Sequence, residues 1–441
     1  MLRFLRLQNW KSYYEPVEFT MVATRERRHG DRLARVGRSR ILPVTAIYGA
    51  NAAGKSTLVD GLEALSGIVL ESRRAGAMLP LAPHLPEGRD EPTVFAVEIV
   101  VSAVGTGDDA ADRVFYYELA ADRRRIHLEL LAQVKSRTKE LLFERENDVT
   151  LYGELDDDAR ARAHAMVVAP NETLLGALGA ERDGTVGAVW DWFARRLNII
   201  HPESTYMHLP ARINAGSVFS QAMNSGLTRA DTGIFEVRFD EMNMKALPVG
   251  ADQLGGLLEG LRERGGTFVI AVGGADHAIL SLTDEGEPIA RRLVTVHERE
   301  DGPAPEQRSS FTLPLQEESD GTQRFMNLLP ILFQLCDKNS RSVFVVDELE
   351  NSMHPKLTED FISSFLEVLG ADDRSQLIFT THEIQLMRSD LLRRDEIWLA
   401  DKIDGQSRLT RVSDFADKGV RKDADLLSFY MSGRLGGVPR I

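Results

Sequence analysis

The sequence predicts an α/β fold, a mixed sheet with flanking helices and an inserted, mainly helical region. Three observations predict it. Ile41-Leu42-Pro43-Val44-Thr45-Ala46-Ile47-Tyr48 meets glycine at Gly49, and apolar residues then recur at helical spacing: Leu58, Val59, Leu62, Leu65, Ile68 and Val69. Val343-Phe344-Val345-Val346 is a second apolar run, ended by Asp347-Glu348. Leu377-Ile378-Phe379-Thr380-Thr381 is a third, ended by His382. Short apolar runs rich in β-branched residues read as strands buried on both faces, as central parallel strands are.

The rest of the chain fits around these elements. Residues 2–9 alternate apolar and polar as an edge strand or hairpin does, and residues 93–135 read as a β-meander. Residues 155–230 read as mostly helical, with Trp190, Trp192 and Phe193 on one apolar side. Without sustained heptads they are no coiled-coil arm. Residues 267–298 return to a strand pattern. The expected division is an N-terminal lobe over 1–150, the helical insertion over 151–245 and a C-terminal lobe over 246–441.

Composition narrows the function. With 441 residues, 43% of them hydrophobic, the chain can bury a large core. A net charge of -14 excludes a general nucleic-acid coat, which needs basic surface to displace counterions from phosphates. A local basic patch stays open. Arginines 25, 27, 28, 32, 35, 38 and 40 form either a contact for a polyanion or acidic partner, or a solvated loop. The single cysteine, Cys336, permits no intramolecular disulfide and reads as a buried, inert thiol in a reducing compartment. No signal peptide and no apolar stretch of spanning length are present, so the expected location is the cytoplasm, with no membrane contact.

The chemistry begins at Gly49-Ala50-Asn51-Ala52-Ala53-Gly54-Lys55-Ser56, which matches G-x-x-x-x-G-K-[ST] between a buried strand and an amphipathic helix. Gly49 and Gly54 let the backbone wrap phosphates closely. The amides around Asn51 and the helix start at Ser56 and Thr57 supply partial positive charge. Lys55 is placed for the β- and γ-phosphates of ATP, and the Ser56 hydroxyl for Mg²⁺. Asp347 and Glu348 end a buried strand, where doubly wound sheets bind ligands. Asp347 suits the metal, and Glu348 suits a general base for the attacking water. His382, at the end of another such strand, is placed to contact a γ-phosphate. Glu318-Ser319-Asp320-Gly321-Thr322-Gln323 opens an amphipathic helix, and a hydroxyl residue and glycine at a helix start favour an anion. His354, in Asn351-Ser352-Met353-His354-Pro355, reads as a dimer-contact residue or as plain surface.

The long stretch between Lys55 and Asp347 exceeds what a compact phosphate-loop core needs. In that order, Asn9-Trp10-Lys11-Ser12, Gly49 to Ser56, Glu318 to Thr322, Asp347 to Pro355 and Thr381-His382 resemble the bacterial ABC/SMC-type ATPases called the "AAA family". The tail Tyr430 to Pro439 is similar to theirs as well. The resemblance implies an ABC-type P-loop ATPase head that works as a homodimer or higher homo-oligomer, with Ser319 and Gly321 reaching the γ-phosphate held by the other copy. It implies that Asn9, Lys11 and Ser12 lie near the nucleotide. It also implies a subunit of an antiphage or abortive-infection system acting beside a separate nuclease or toxin. The segment after His382 is too short for a further nuclease domain. A DNA-repair or chromosome-clamp ATPase, binding DNA through dimerised heads, is the alternative.

Overall fold

The computed structural model describes the chain apart from residues 72, 73, 75, 103–111, 137, 147, 148, 152–154, 156, 166, 167, 181–183, 205–212, 214–216, 274, 275, 284, 301–307, 419–425 and 433–441. The chain forms two compact units. The first comprises Met1–Pro202, Leu335–Leu349 and Ile362–Ile441, and the second Glu203–Gln334 and Glu350–Phe361. Among the described residues no helix is long and apolar enough to cross a membrane.

The first unit is built on two sheets. One contains seven strands: β1 (Leu2–Gln8), β2 (Val17–Thr20), β6 (Thr93–Val101), β7 (Arg113–Ala121), β8 (Ile126–Val134), β9 (Lys139–Arg145) and β10 (Val149–Leu151). They are antiparallel, in the order β10-β9-β8-β7-β6-β1-β2. The predicted meander is β6 to β8. The short hairpin of β3 (Ala34–Val36) and β4 (Ser39–Ile41) stands apart. The other sheet has six strands: β5 (Val44–Gly49), β11 (Leu197–Ile200), β17 (Val343–Val346), β18 (Gln376–Thr381), β19 (Ile397–Ile403) and β20 (Gln406–Arg411). Its order is β11-β17-β18-β5-β19-β20, parallel except for the antiparallel edge strand β20. Every residue of β5, β17 and β18 is buried. Each apolar side chain there contributes about 1.5–3 kcal/mol on burial, which is why the three runs carry so few polar residues.

Helix α1 (Lys55–Leu70) follows β5 and buries the predicted stripe Leu58, Val59, Leu62, Leu65, Ile68 and Val69. Between 151 and 245 the described residues include helices α2 (Asp157–Ala165), α3 (Leu174–Gly179), α4 (Gly184–Asp191) and α5 (Ser217–Arg229). Strands also occur there: β11 joins the parallel sheet, and β12 (Ile234–Met242) belongs to the second unit. A four-residue apolar run such as β11 cannot be told from a helical segment by periodicity. Phe193 meets Tyr117 edge-on at 6.0 Å, packing this region against the antiparallel sheet. The fully buried Glu129 accepts from Tyr117 Oη at 3.0 Å and from the first two amides of α3 at 2.7 and 2.9 Å, so an acidic side chain caps that helix. Burial pushes its carboxyl above the usual range.

The arginine-dense segment is neither uniformly solvated nor uniformly available. Arg25, Arg27, Arg35, Arg38 and Arg40 are exposed. Arg32 is buried, pairing with Glu396 Oε2 at 2.5 Å and donating to Leu391 O at 3.0 Å. Arg28 donates to Ser389 O at 3.1 Å. Burial pushes the Glu396 carboxyl up to about 7, against the pull of Arg32. Removing Arg32 strands a buried charge, so Arg32→Ala is expected to cost about 3–5 kcal/mol where Glu396 is ionised. Below about pH 7 the carboxyl escapes by taking up a proton, so the cost shrinks there and grows above it. Arg35→Ala, at an exposed site, is expected to stay within about 0.5 kcal/mol. Urea unfolding of both variants at pH 6 and pH 8.5 checks this; equal effects would reject the buried pair.

The second unit contains the sheet β12-β15-β14-β13, formed with β13 (Thr267–Gly273), β14 (Asp276–Leu282) and β15 (Pro288–Glu300), and β16 (Arg308–Pro314) also pairs with β15. Its small core includes Leu247, Leu261 of helix α6 (Ala251–Arg264), Ile270, Ala278, Leu280 and Ala290. Helix α7 (Asp320–Cys336) starts here, and Gly226 of α5 lies against Leu329. Helix α8 (Pro355–Glu367) also starts here, with proline at its first position, where the missing N–H costs nothing. Cys336 is half-buried rather than fully buried, its Sγ 3.8 Å from Ser364 O.

Candidate functional site

The site sits at the carboxyl ends of β5, β17 and β18. Gly49 is demanded by packing: a Cβ there would meet the Ala400 carbonyl oxygen at 2.5 Å. Gly54 has φ +111°, and a Cβ there would meet Ser407 Oγ at 2.5 Å. Only glycine accepts that combination of left-handed backbone and closed space. Tyr13 Oη donates to Gly54 O at 3.1 Å and steadies the loop from beneath.

Lys55 is 6% exposed and folds over the loop. Its Nζ donates to Gly49 O at 3.1 Å and to Ala50 O at 3.3 Å, and lies 3.0 Å from His382 Nε2. A cavity of about 440 Å³ opens beside it, lined by Asn51, Gly54, Lys55, Ser56, Thr57, Glu348 and His382, and also by Lys11, Ser12 and Lys402. Ser56 is exposed at this surface. Residues predicted from three separated motifs therefore converge on one space.

Asp347 and Glu348 are held by a residue that sequence reasoning did not single out. Thr380 Oγ1 donates to Asp347 Oδ1 at 2.5 Å and accepts the Glu348 amide at 2.8 Å. The Asp347 amide donates to Ile200 O at 2.8 Å, and the Leu349 amide to Thr380 O at 3.1 Å. Asp347 is 4% exposed. Glu348 has φ +47°, a left-handed conformation rare for a residue with a side chain, and its neighbours hold it there. The result is a buried carboxylate beside one aimed into the cavity. The only sequence signal for Thr380 is a polar pair, Thr380-Thr381, ending an otherwise apolar strand. Lys402 and Ser407 had no signal, since no motif surrounds them.

The N-terminal segment divides. Lys11 and Ser12 line the cavity; Lys11 pairs with Asp60 at 2.5 Å, and Ser12 Oγ accepts from Ser407 Oγ at 2.7 Å. Asn9 does not line it. It is 1% exposed, donates to Gly88 O at 2.7 Å and Glu91 O at 2.8 Å, and accepts the His84 amide at 2.8 Å, tying residues 84–91 to β1.

Ser319 and Gly321 belong to the second unit. Ser319 precedes α7, and its Oγ accepts the Thr322 amide at 3.2 Å, an N-cap. A Cβ on Gly321 would meet Ser352 O at 2.4 Å, so packing within the unit already requires glycine there. His354 is exposed, its Nδ1 accepting the Lys356 amide at 3.2 Å at the start of α8. Of the tail, Tyr430, Met431 and Ser432 are described, and the residues from Gly433 to Pro439 lie outside the described residues.

The donor set fits a nucleoside triphosphate with a divalent cation: an ammonium, a rim hydroxyl, a buried carboxylate and a glycine loop at a helix start. A phosphate loop and an acidic strand end in one buried parallel sheet, with a long insertion between them, are the arrangement expected of an ABC/SMC-type P-loop ATPase. Residues 287–388 match the family model described as "AAA domain, putative AbiEii toxin, Type IV TA system". That stretch carries Ser319, Gly321, Asp347, Glu348 and His382.

Among solved structures, the chain is similar to the SMC head domain from Thermotoga maritima, with 14% identity, 93% of this chain and 98% of that chain covered and a TM-score of 0.35. It is also similar to the SmcHead bound to the C-winged helix domain of ScpA, with 13% identity, 93% and 97% covered and a TM-score of 0.37. No curated protein matches.

Proposed function

We propose that the chain binds ATP with Mg²⁺ in the first-unit cavity and hydrolyses it in composite sites made when two copies meet head to tail. The observation that carries this is the convergence of Lys55, Ser56, Glu348 and His382 on one space. Lys55 gives up its carbonyl contacts to neutralise the β- and γ-phosphates. Ser56 and Asp347 hold the cation, which supplies charge neutralisation and orientation when bound. Glu348, fixed by Thr380, takes the proton of the attacking water, and His382 meets the γ end. The adjoining cavity of about 760 Å³, lined in part by Ala82, Pro83, Leu85 and Pro86, offers an apolar wall for the base. Ser319 and Gly321 of the second copy close the site.

The cellular role we propose is a nucleotide-driven switch in a bacterial antiphage system, controlling a separate toxin or nuclease. The family's description, which names a toxin of a Type IV toxin–antitoxin system, supports that setting. Co-purification of an adjacent gene's product, lost or gained on adding ATP, tests it; a partner indifferent to nucleotide rejects the switch.

The composite site has a direct test. Lys55→Ala and Ser319→Arg should each be inactive alone, and Ser319→Arg should still bind ATP. Mixed together, they should regain hydrolysis, because the heterodimer contains one site with both an intact Lys55 and an intact Ser319. Two folded variants that stay inactive on mixing would reject the head-to-tail arrangement.

A further inference from the structure

The segment that opens α7 is fixed from the sheet of its own unit. Glu318, just before Ser319, carries a carboxylate whose side chain is 6% exposed. His297 of β15 holds it, Nε2 to Oε1 at 2.6 Å, and the Thr295 hydroxyl donates to the same oxygen. With Glu318 as a carboxylate, which only accepts, Nε2 of the imidazole is the donor of that bond. The ring stacks on Phe311, its cross-strand partner on β16, with centroids 5.1 Å apart and planes at 14°. The Glu318 carbonyl in turn accepts Gln323 Nε2 at 2.8 Å. Glu318 is thus gripped at both its side chain and its backbone. Three residues further on, Gly321 lies against Ser352 O.

We infer that His297 and Glu318 form a latch that sets where Ser319 and Gly321 stand, and are therefore positioning residues of the composite nucleotide site. This rests on the reading that Ser319 and Gly321 close the partner copy's site. The argument is mechanical and electrostatic. Ser319 spends its own hydroxyl on capping α7, so nothing in its side chain orients the segment against the sheet. A nearly buried carboxylate costs heavily unless paired, so the segment stays where His297 and Thr295 can reach it. The stack on Phe311 fixes the plane of the imidazole, and with it the direction of the bond. Small displacements of a group that meets a transferring phosphate are costly to rate, while binding by the other copy's Lys55 loop is untouched.

The test compares His297→Ala, His297→Gln and Ser319→Arg in the full chain, reading kcat at saturating ATP and ATP affinity separately. His297→Ala is expected to lower kcat by about tenfold or more with ATP affinity within about twofold of wild type. His297→Gln, whose amide nitrogen reaches where Nε2 stood, is expected to bring kcat back to within about threefold. A wild-type kcat in His297→Ala while Ser319→Arg is inactive overturns the latch and leaves the composite site standing. A glutamine variant no better than alanine also overturns it, since the loss would then be one of packing. Full activity in Ser319→Arg overturns the composite site itself. Should His297→Ala fail to fold, Glu318→Ala, which removes the acceptor, decides: a lowered kcat with unchanged ATP affinity supports the latch, and a wild-type kcat rejects it.

Discussion

Glu348→Gln is expected to lower ATP turnover by about 10²–10⁴, the range for losing a positioned general base. Glutamine keeps the size and polarity of the side chain, and the backbone bond from the Glu348 amide to Thr380 Oγ1 is unaffected, so the left-handed conformation at this position survives. Nucleotide and Mg²⁺ should still bind. Because ATP is proposed to join two copies, and binding to one state shifts the population toward it, the closed assembly should accumulate. Size-exclusion chromatography with ATP and Mg²⁺ should show a larger species that wild type loses as it hydrolyses ATP. Asp347→Ala should differ, since it weakens the metal and hence nucleotide binding too; it also removes the acceptor of the Thr380 hydroxyl. Wild-type turnover by Glu348→Gln would place the base elsewhere.

Lys55→Ala is expected to abolish detectable ATP binding. In the structure the ammonium spans Gly49 O, Ala50 O and His382 Nε2. A triphosphate would draw it from neutral acceptors to anionic oxygens, a gain alanine cannot supply. The substitution leaves α1 intact, because Leu58, Val59 and Leu62 carry its packing and alanine is a good helix former. Titration with a fluorescent ATP analogue, beside a thermal unfolding curve matching wild type, separates lost binding from lost fold. Unchanged affinity in a folded variant would remove the phosphate-loop assignment.

The sequence by itself determined the strands β5, β17 and β18 and the helix α1, and it marked the residues at their ends as candidates for the chemistry. Those features obey local rules: a strand covered on both faces must be apolar, a helix shows its buried stripe at fixed spacing, and a phosphate loop occupies eight consecutive residues. Tertiary structure alone decided what surrounds them. Ser12 meets Ser407 across 395 positions, and Arg32 meets Glu396 across 364. Thr380 became the brace for Asp347 and Glu348 because β18 lies beside β17 in register. Asn9, expected near the nucleotide, turned inward to satisfy backbone groups of residues 84–91. Gly321 proved necessary against Ser352 before any phosphate is considered. Propensity and spacing act over a few residues, whereas a buried polar atom takes whichever partner packing brings within 3 Å, and no periodicity records that choice.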